Sequence, residues 1–208
     1  MRLTTTRMIE LTVAVSVVVI SVASLFVAVE QSRVQRQTLE ASVLPVIQYG
    51  TGNYNLPMEE WRLTLSFTNT GIGPAEVRYM ELIWDGEPVR DTSEFIARCC
   101  IPDDIPPQDR LSYVHQAFRD GQMAFLFDSV EGRFFAPQEE VEYIVFRRPD
   151  AEAQPVGYAI WQELDRARQD VSVEVCYCSV FEDCWMARFP AQTREPVDMC
   201  PVREPEDG

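Results

Sequence analysis

Residues 11–29, LTVAVSVVVISVASLFVAV, are 19 in number and carry no charge; Glu10 and Glu30 bound them. No other feature restricts the chain so strongly. At about 1.5 Å per residue, a helix of this length spans roughly 28 Å, close to the hydrocarbon thickness of a bilayer. In lipid every backbone N–H and C=O must be satisfied within the segment, so a high content of β-branched residues does not prevent a helix there. Thr12, Ser16, Ser21 and Ser24 cost little, because each hydroxyl can donate to a carbonyl one turn back. A transmembrane helix from Leu11 to Val29 is predicted.

A cleaved signal peptide is the competing reading. Ser21-Val22-Ala23 places small residues where a signal peptidase reads. The apolar run continues through Leu25, Phe26, Val27 and Val29, past the about 7–15 residues of a secretory core. The segment therefore reads as a retained anchor. No Cys lies near residue 23, which excludes a lipoprotein. Arg2 and Arg7 precede the span, and Arg33 and Arg36 follow it, so the positive-inside rule gives a tie. The free amino terminus and the cysteines tip the balance toward residues 1–10 in the cytoplasm. Ser24 and Ala28 form one small-xxx-small pair, through which the span could oligomerise.

Residues 30–42 are polar and rich in helix formers, so the helix should run on as a stalk, with Pro45 as its stop. A domain over residues 43–191 and an extended acidic tail over 192–208 complete the chain. All 18 basic residues are Arg; there is no Lys. Beyond residue 36 there are 14 Arg against 31 acidic residues, a net of −17. Such a balance excludes nucleic acid as a partner, since a polyphosphate needs a basic surface. It also sets the domain against an anionic lipid surface.

The domain reads as mainly β. Trp61, Leu63, Leu65 and Phe67 alternate with Arg62, Thr64, Ser66 and Thr68, the period of a strand with one dry face. Asn69-Thr70-Gly71-Ile72-Gly73-Pro74 then breaks the run as a turn. Val77–Trp84 and Val141–Phe146 are apolar on both parities, as central strands are. Asp85-Gly86 is a hairpin signal. Val171, Val173, Val175 and Tyr177 alternate with Ser172, Glu174, Cys176 and Cys178. That strand should turn back at Glu182-Asp183 through Trp185 to Phe189. Ile160, Trp161, Leu164 and Ala167 fit a short amphipathic helix, and Ser93–Cys100 fits another. In the region 110–137 Met123, Phe125 and Phe127 alternate, but the flanks commit to neither period. The expected fold is an antiparallel, Ig-like β-sandwich with one or two short helices behind a transmembrane helix.

The six cysteines are Cys99, Cys100, Cys176, Cys178, Cys184 and Cys200. All follow the span and their number is even, which points to structural disulfides in an oxidising compartment. Cys176 and Cys178 share a strand face. Cys99-Cys100 is their expected partner segment, leaving Cys184 to pair with Cys200. Zinc fits poorly, because CC, CxC and a five-residue gap are not the usual ligand spacing. Copper(I) on the CxC pair is disfavoured in an oxidising compartment. No metal and no cofactor is expected.

Catalytic patterns are missing. His115 is the only histidine and no GxSxG, P-loop or GxGxxG occurs. Asp103-Asp104 and Glu139-Glu140 read as solvated charge rather than as metal ligands or a glycosidase pair. Trp61 and Trp84 read as core. Trp161, Trp185 and the Pro106-Pro107 step of a stiff loop are candidate partner contacts.

The segment Ala41–Pro45 (ASVLP), NTGIGPA at 69–75 and CYCSVFEDCW at 176–185 resemble a loose group of bacterial single-pass membrane-anchored proteins. The resemblance implies the architecture and a bacterial envelope location; the group carries no activity to transfer. The expectation is a non-enzymatic accessory protein of the bacterial inner membrane, its C-terminal domain periplasmic and in contact with other envelope membrane proteins. A periplasmic thiol-redox or metal-binding protein using the cysteines is the first alternative. An envelope hydrolase with a carboxylate site is the second.

Overall fold

The structure, a computed structural model, describes residues 2–202 and, in the first helix, leaves out the side chains of residues 2–6, 8, 9 and 12. The chain divides into two units, residues 1–42 and 43–208. The first is a single helix, α1 (Arg2–Ser42), unbroken at Glu10 and at Glu30. Among the described residues it is the one helix long and apolar enough to cross a membrane, a property that an anchor and a signal sequence share. Ser21 and Ser24 donate to the carbonyls of Val17 and Ile20, each at 2.8 Å. These hydroxyls add no unsatisfied polar group to the apolar run. Pro45 offers no N–H and disfavours helical geometry at Leu44, and the helix ends three residues before it.

The second unit is mixed helix and sheet. Its elements are β1 (Ile47–Asn55), β2 (Glu60–Asn69), β3 (Ala75–Trp84), β4 (Glu87–Val89), α2 (Thr92–Cys99), α3 (Pro107–Arg119), β5 (Phe125–Phe127), β6 (Phe134–Phe135), β7 (Glu140–Arg147), α4 (Pro155–Ala167), β8 (Ser172–Cys178), β9 (Cys184–Phe189) and β10 (Thr193–Val197). One sheet runs β1-β2-β7-β5; the other runs β10-β9-β8-β3-β4, with β6 also on β3. Every pairing is antiparallel. Leu65, Phe67 and Phe146 of the first sheet share one core with Val77, Val175 and Tyr177 of the second. The arrangement is therefore sandwich-like.

β3 and β7 lie inside their sheets, which accounts for apolar residues on both parities. The Asp85-Gly86 turn joins β3 to β4 with positive φ at both residues (51° and 77°), as a type I′ hairpin requires. Glu182 also takes positive φ (65°) in the turn from β8 to β9.

Three expectations need correction. The domain has three helices rather than one or two. The expected loop ends one residue early: Pro106 stays in it, outside the helix, and Pro107 opens α3, where a missing N–H is harmless because the first helical N–H groups have no intrahelical partner. The segment from residue 192 is not merely extended, since β10 pairs with β9 from Thr193↔Arg188 to Val197↔Cys184; residues 203–208 lie outside the described residues.

The connection from β2 to β3 is more than a turn. Asn69 is fully buried. Its Oδ1 accepts from the N–H groups of Val46 (3.2 Å) and Gly71 (3.0 Å). Its Nδ2 donates to the carbonyls of Gly73 (2.8 Å), Phe135 (3.3 Å) and Ala136 (3.2 Å). One side chain thus ties the domain's entry, the 69–73 loop and β6 together.

Candidate interaction edge and sulfur cluster

β5 is the outer strand of its sheet. It bonds to β7 on one side, with Phe125↔Phe146, Leu126↔Val145 and Phe127↔Ile144 in register, and among the described residues no strand pairs its other side. Phe125 turns inward, 4.1 Å from the Phe146 ring centroid and 5.3 Å from that of Phe118. Phe127 has the same parity in the ladder, opposite the buried Ile144, yet it is 77% exposed; Leu126, on the outer face, is 66% exposed. Phe134 of β6 is 64% exposed. Large apolar side chains beside an unpaired strand edge are what soluble domains usually avoid or cover.

A shallow groove of about 470 Å³ runs along β5 and β7, lined by Leu126, Phe127, Val141 and Val145 with Asp128 and Glu140 at its rim. Arg133 binds Asp128 (2.6 Å) and Glu139 (3.0 Å). The Ala136 N–H and the Arg133 guanidinium hold the Glu139 carboxyl below the usual carboxylate range. Glu142 is engaged by Arg62. The acids beside the groove are thus partly neutralised, while Glu140 stands exposed.

Other singled-out residues take different places. Trp161 is buried, and its indole Nε1 donates to the Phe146 carbonyl at 3.1 Å; it is core, with no face for a partner. Trp185 is half-buried against Tyr177, with the Arg194 guanidinium 5.6 Å from its ring. Trp61, read as core, is 44% exposed and sits between Tyr54 and Arg148. Trp84 is half-buried against Phe95. His115 is exposed on α3, and Asp103-Asp104 are exposed in the loop before it.

The six cysteines form three pairs at disulfide distance: Cys99–Cys100, Cys176–Cys200 and Cys178–Cys184. The expected pairing of Cys176 and Cys178 with Cys99-Cys100 is overturned, as is Cys184 with Cys200. The cause is register. Cys178 lies directly opposite Cys184 across the β8–β9 hairpin, whereas Cys99-Cys100 ends α2 and the two bond to each other. Val173, Val175 and Tyr177 face the main core, so Cys176 and Cys178 face out. There, with Cys184, Met186 and Cys200, they form a second buried cluster covered by Tyr79 and Val197. The Sγ atoms of Cys178, Cys184 and Cys200 lie within 4.8 Å of one another. The alternation of β8 already put both cysteines on the non-core face; the identity of their cover did not follow from it.

Comparison of the chain with protein-family models, with curated proteins and with solved structures finds no match.

Proposed function

We propose that this protein is a non-enzymatic accessory protein of the bacterial inner membrane, anchored by α1 with its N-terminus in the cytoplasm and its β domain in the periplasm. The domain holds an extended segment of another envelope membrane protein against the free edge of β5. The carrying observation is the pair Leu126 and Phe127, both exposed on a strand with one side unpaired among the described residues. An extended peptide can complete such a ladder through its main chain and seat alternate side chains in the flanking groove. The net charge of −17 beyond residue 36 and the exposed Glu140 beside the groove favour an apolar segment flanked by basic residues.

Amine-reactive reagents suit this chain poorly, because it has no Lys side chain. A photo-crosslinking amino acid at position 127, in native membranes, is the direct test. It should capture one membrane protein, while the same group at the exposed Leu56 between β1 and β2 captures none. Phe127→Glu should leave stability within about 0.5 kcal/mol, as exposed substitutions do, and should abolish co-extraction of that protein. Adducts at both positions alike, or at neither, reject the reading.

The compartment has its own test. Protein taken from native membranes should show no alkylated thiol before reduction and six after it, read by intact mass. Labelling of all six thiols before reduction would place the domain in the reducing cytoplasm; labelling of two alone would point to exchange among the cysteines.

A further inference from the structure

Two of the three disulfides are not separate staples. Cys176–Cys200 and Cys178–Cys184 lie side by side on the outer face of β8 and β9, and the Cys178 and Cys200 sulfurs, which are not bonded to each other, are 3.8 Å apart. That is about van der Waals contact for two sulfurs, the starting distance for attack of a thiolate on a disulfide. Tyr79, Met186 and Val197 enclose the group, so water is scarce, and the Met186 thioether takes no part in exchange; the remaining disulfide, Cys99–Cys100, ends α2. Cys176 and Cys178 are fully buried, and the small residual exposure belongs to Cys184 (5%) and Cys200 (6%). An outside thiol therefore has one door into each bond.

We infer that the four cysteines form one thiol–disulfide exchange site for a dithiol substrate, with the Cys178–Cys200 contact as its internal crossing. The proposal does not rest on the accessory reading and, unlike it, gives the domain a redox activity. A dithiol attacks Cys200, is itself oxidised to a cyclic disulfide, and leaves thiols at Cys176 and Cys200. The Cys200 thiol gives up its proton, and the thiolate attacks the Cys178 sulfur. The Cys178–Cys200 bond forms and the Cys178–Cys184 bond breaks. Cys184 leaves as thiolate and takes up a proton, so the number of disulfides is unchanged in this second step. Entry at Cys184 runs the same way: the freed Cys178 thiolate attacks Cys200, and Cys176 leaves. Both routes end with Cys178 bonded to Cys200 and with thiols at Cys176 and Cys184.

That end state is diagnostic, because Cys176 and Cys184 are not bonded to each other and no direct reduction of one bond can free both. The full chain in detergent is treated with one equivalent of a small dithiol under native conditions, quenched in acid, alkylated and mapped by mass spectrometry. The proposal expects a species alkylated at Cys176 and Cys184 that retains a Cys178–Cys200 bond. Only Cys176 with Cys200, or only Cys178 with Cys184, would overturn it. Cys176→Ser offers a route without reductant: Cys200 starts as the free thiol, and alkylation should appear at Cys184 on incubation. Cys184→Ser should release Cys176 by the mirror step. If both variants keep their label where the free thiol began, the crossing does not operate. If either fails to fold, the partial reduction of the native chain decides alone.

Discussion

Asn69→Ala should unfold the β domain more readily than any exposed substitution, with a loss on the order of 3–5 kcal/mol. The alanine removes two acceptor bonds and three donor bonds at a position with no water access. It strips these bonds from the N–H groups of Val46 and Gly71 and from the carbonyls of Gly73 and Phe135, while the Ala136 carbonyl keeps the Glu139 N–H (3.1 Å), and buried groups without partners each cost about 1–3 kcal/mol. Asn69→Asp separates the two halves of the argument. Its carboxylate still accepts from Val46 and Gly71 but donates to nothing, and it faces the carbonyls of Gly73, Phe135 and Ala136 with a negative charge. It should be no better than alanine at neutral pH. Denaturant titration of the full chain in detergent, followed by near-UV circular dichroism so that α1 does not dominate the signal, reads both. An unchanged midpoint for either variant would remove Asn69 from the framework.

The strands that the sequence makes plain are those with a core on one side and a long enough run to show it. β2, β3, β7 and β8 each carry at least seven residues, and their alternation or double-sided apolarity follows from where they lie in the sheets. Trp61 shows what alternation leaves out. It has the parity of Leu63 and Leu65, but it is near the end of β2, where the opposite sheet no longer covers it. Phe127 repeats the lesson at the edge. Parity gives the face, while coverage depends on the length of the neighbouring layer. Trp161 was misplaced for a different reason: its spacing with Ile160 and Leu164 already put it on the apolar face of α4, and burial followed from that.

The short edge elements were out of reach. β5 has three residues and β6 two, so the alternation of Met123, Phe125 and Phe127 is too short to define a strand on its own. α3 was hidden by its first residue, because Pro107 reads as a loop unless the first-turn tolerance for proline is applied. The Cys178–Cys184 pair was within reach. Once the turn is put at Glu182-Asp183, the hairpin brings the two residues opposite each other, and a disulfide across it competes with any more distant partner. Cys200 was harder, since nothing in the local pattern says that the chain past β10 folds back over the outer face. The candidate edge shared this difficulty, because it consists of residues whose importance lies in being uncovered.

Gly73→Ala should be still more damaging than the loss of Asn69, and for a steric reason. A Cβ at Gly73 would lie 1.8 Å from the Val43 carbonyl oxygen and 2.2 Å from its carbon, and one at Gly71 would lie 2.4 Å from the Leu44 oxygen. All of these are backbone atoms, so no rotamer change relieves the overlap. The 69–73 loop can press so closely on residues 43–46 only because two of its members have no side chain. The bonds from Thr70 N to Val46 O (2.8 Å) and Ile72 N to Leu44 O (3.1 Å) fasten the contact. Gly73→Ala should therefore exceed about 4 kcal/mol, the range of mutations that break a framework, and should give protease-sensitive protein without near-UV signal. Ile72→Ala, between the two glycines but 63% exposed, should change the midpoint by no more than about 0.5 kcal/mol. The same contact sets where the domain can be cut from α1. A chain beginning at Val43 keeps the backbone on which both glycines rest, and it should fold and resist protease. A chain beginning at Gln48 loses that backbone together with the N–H that Asn69 accepts from, and it should not. Equal protease resistance of the two would show that residues 43–46 are a passive connection and not part of the fold.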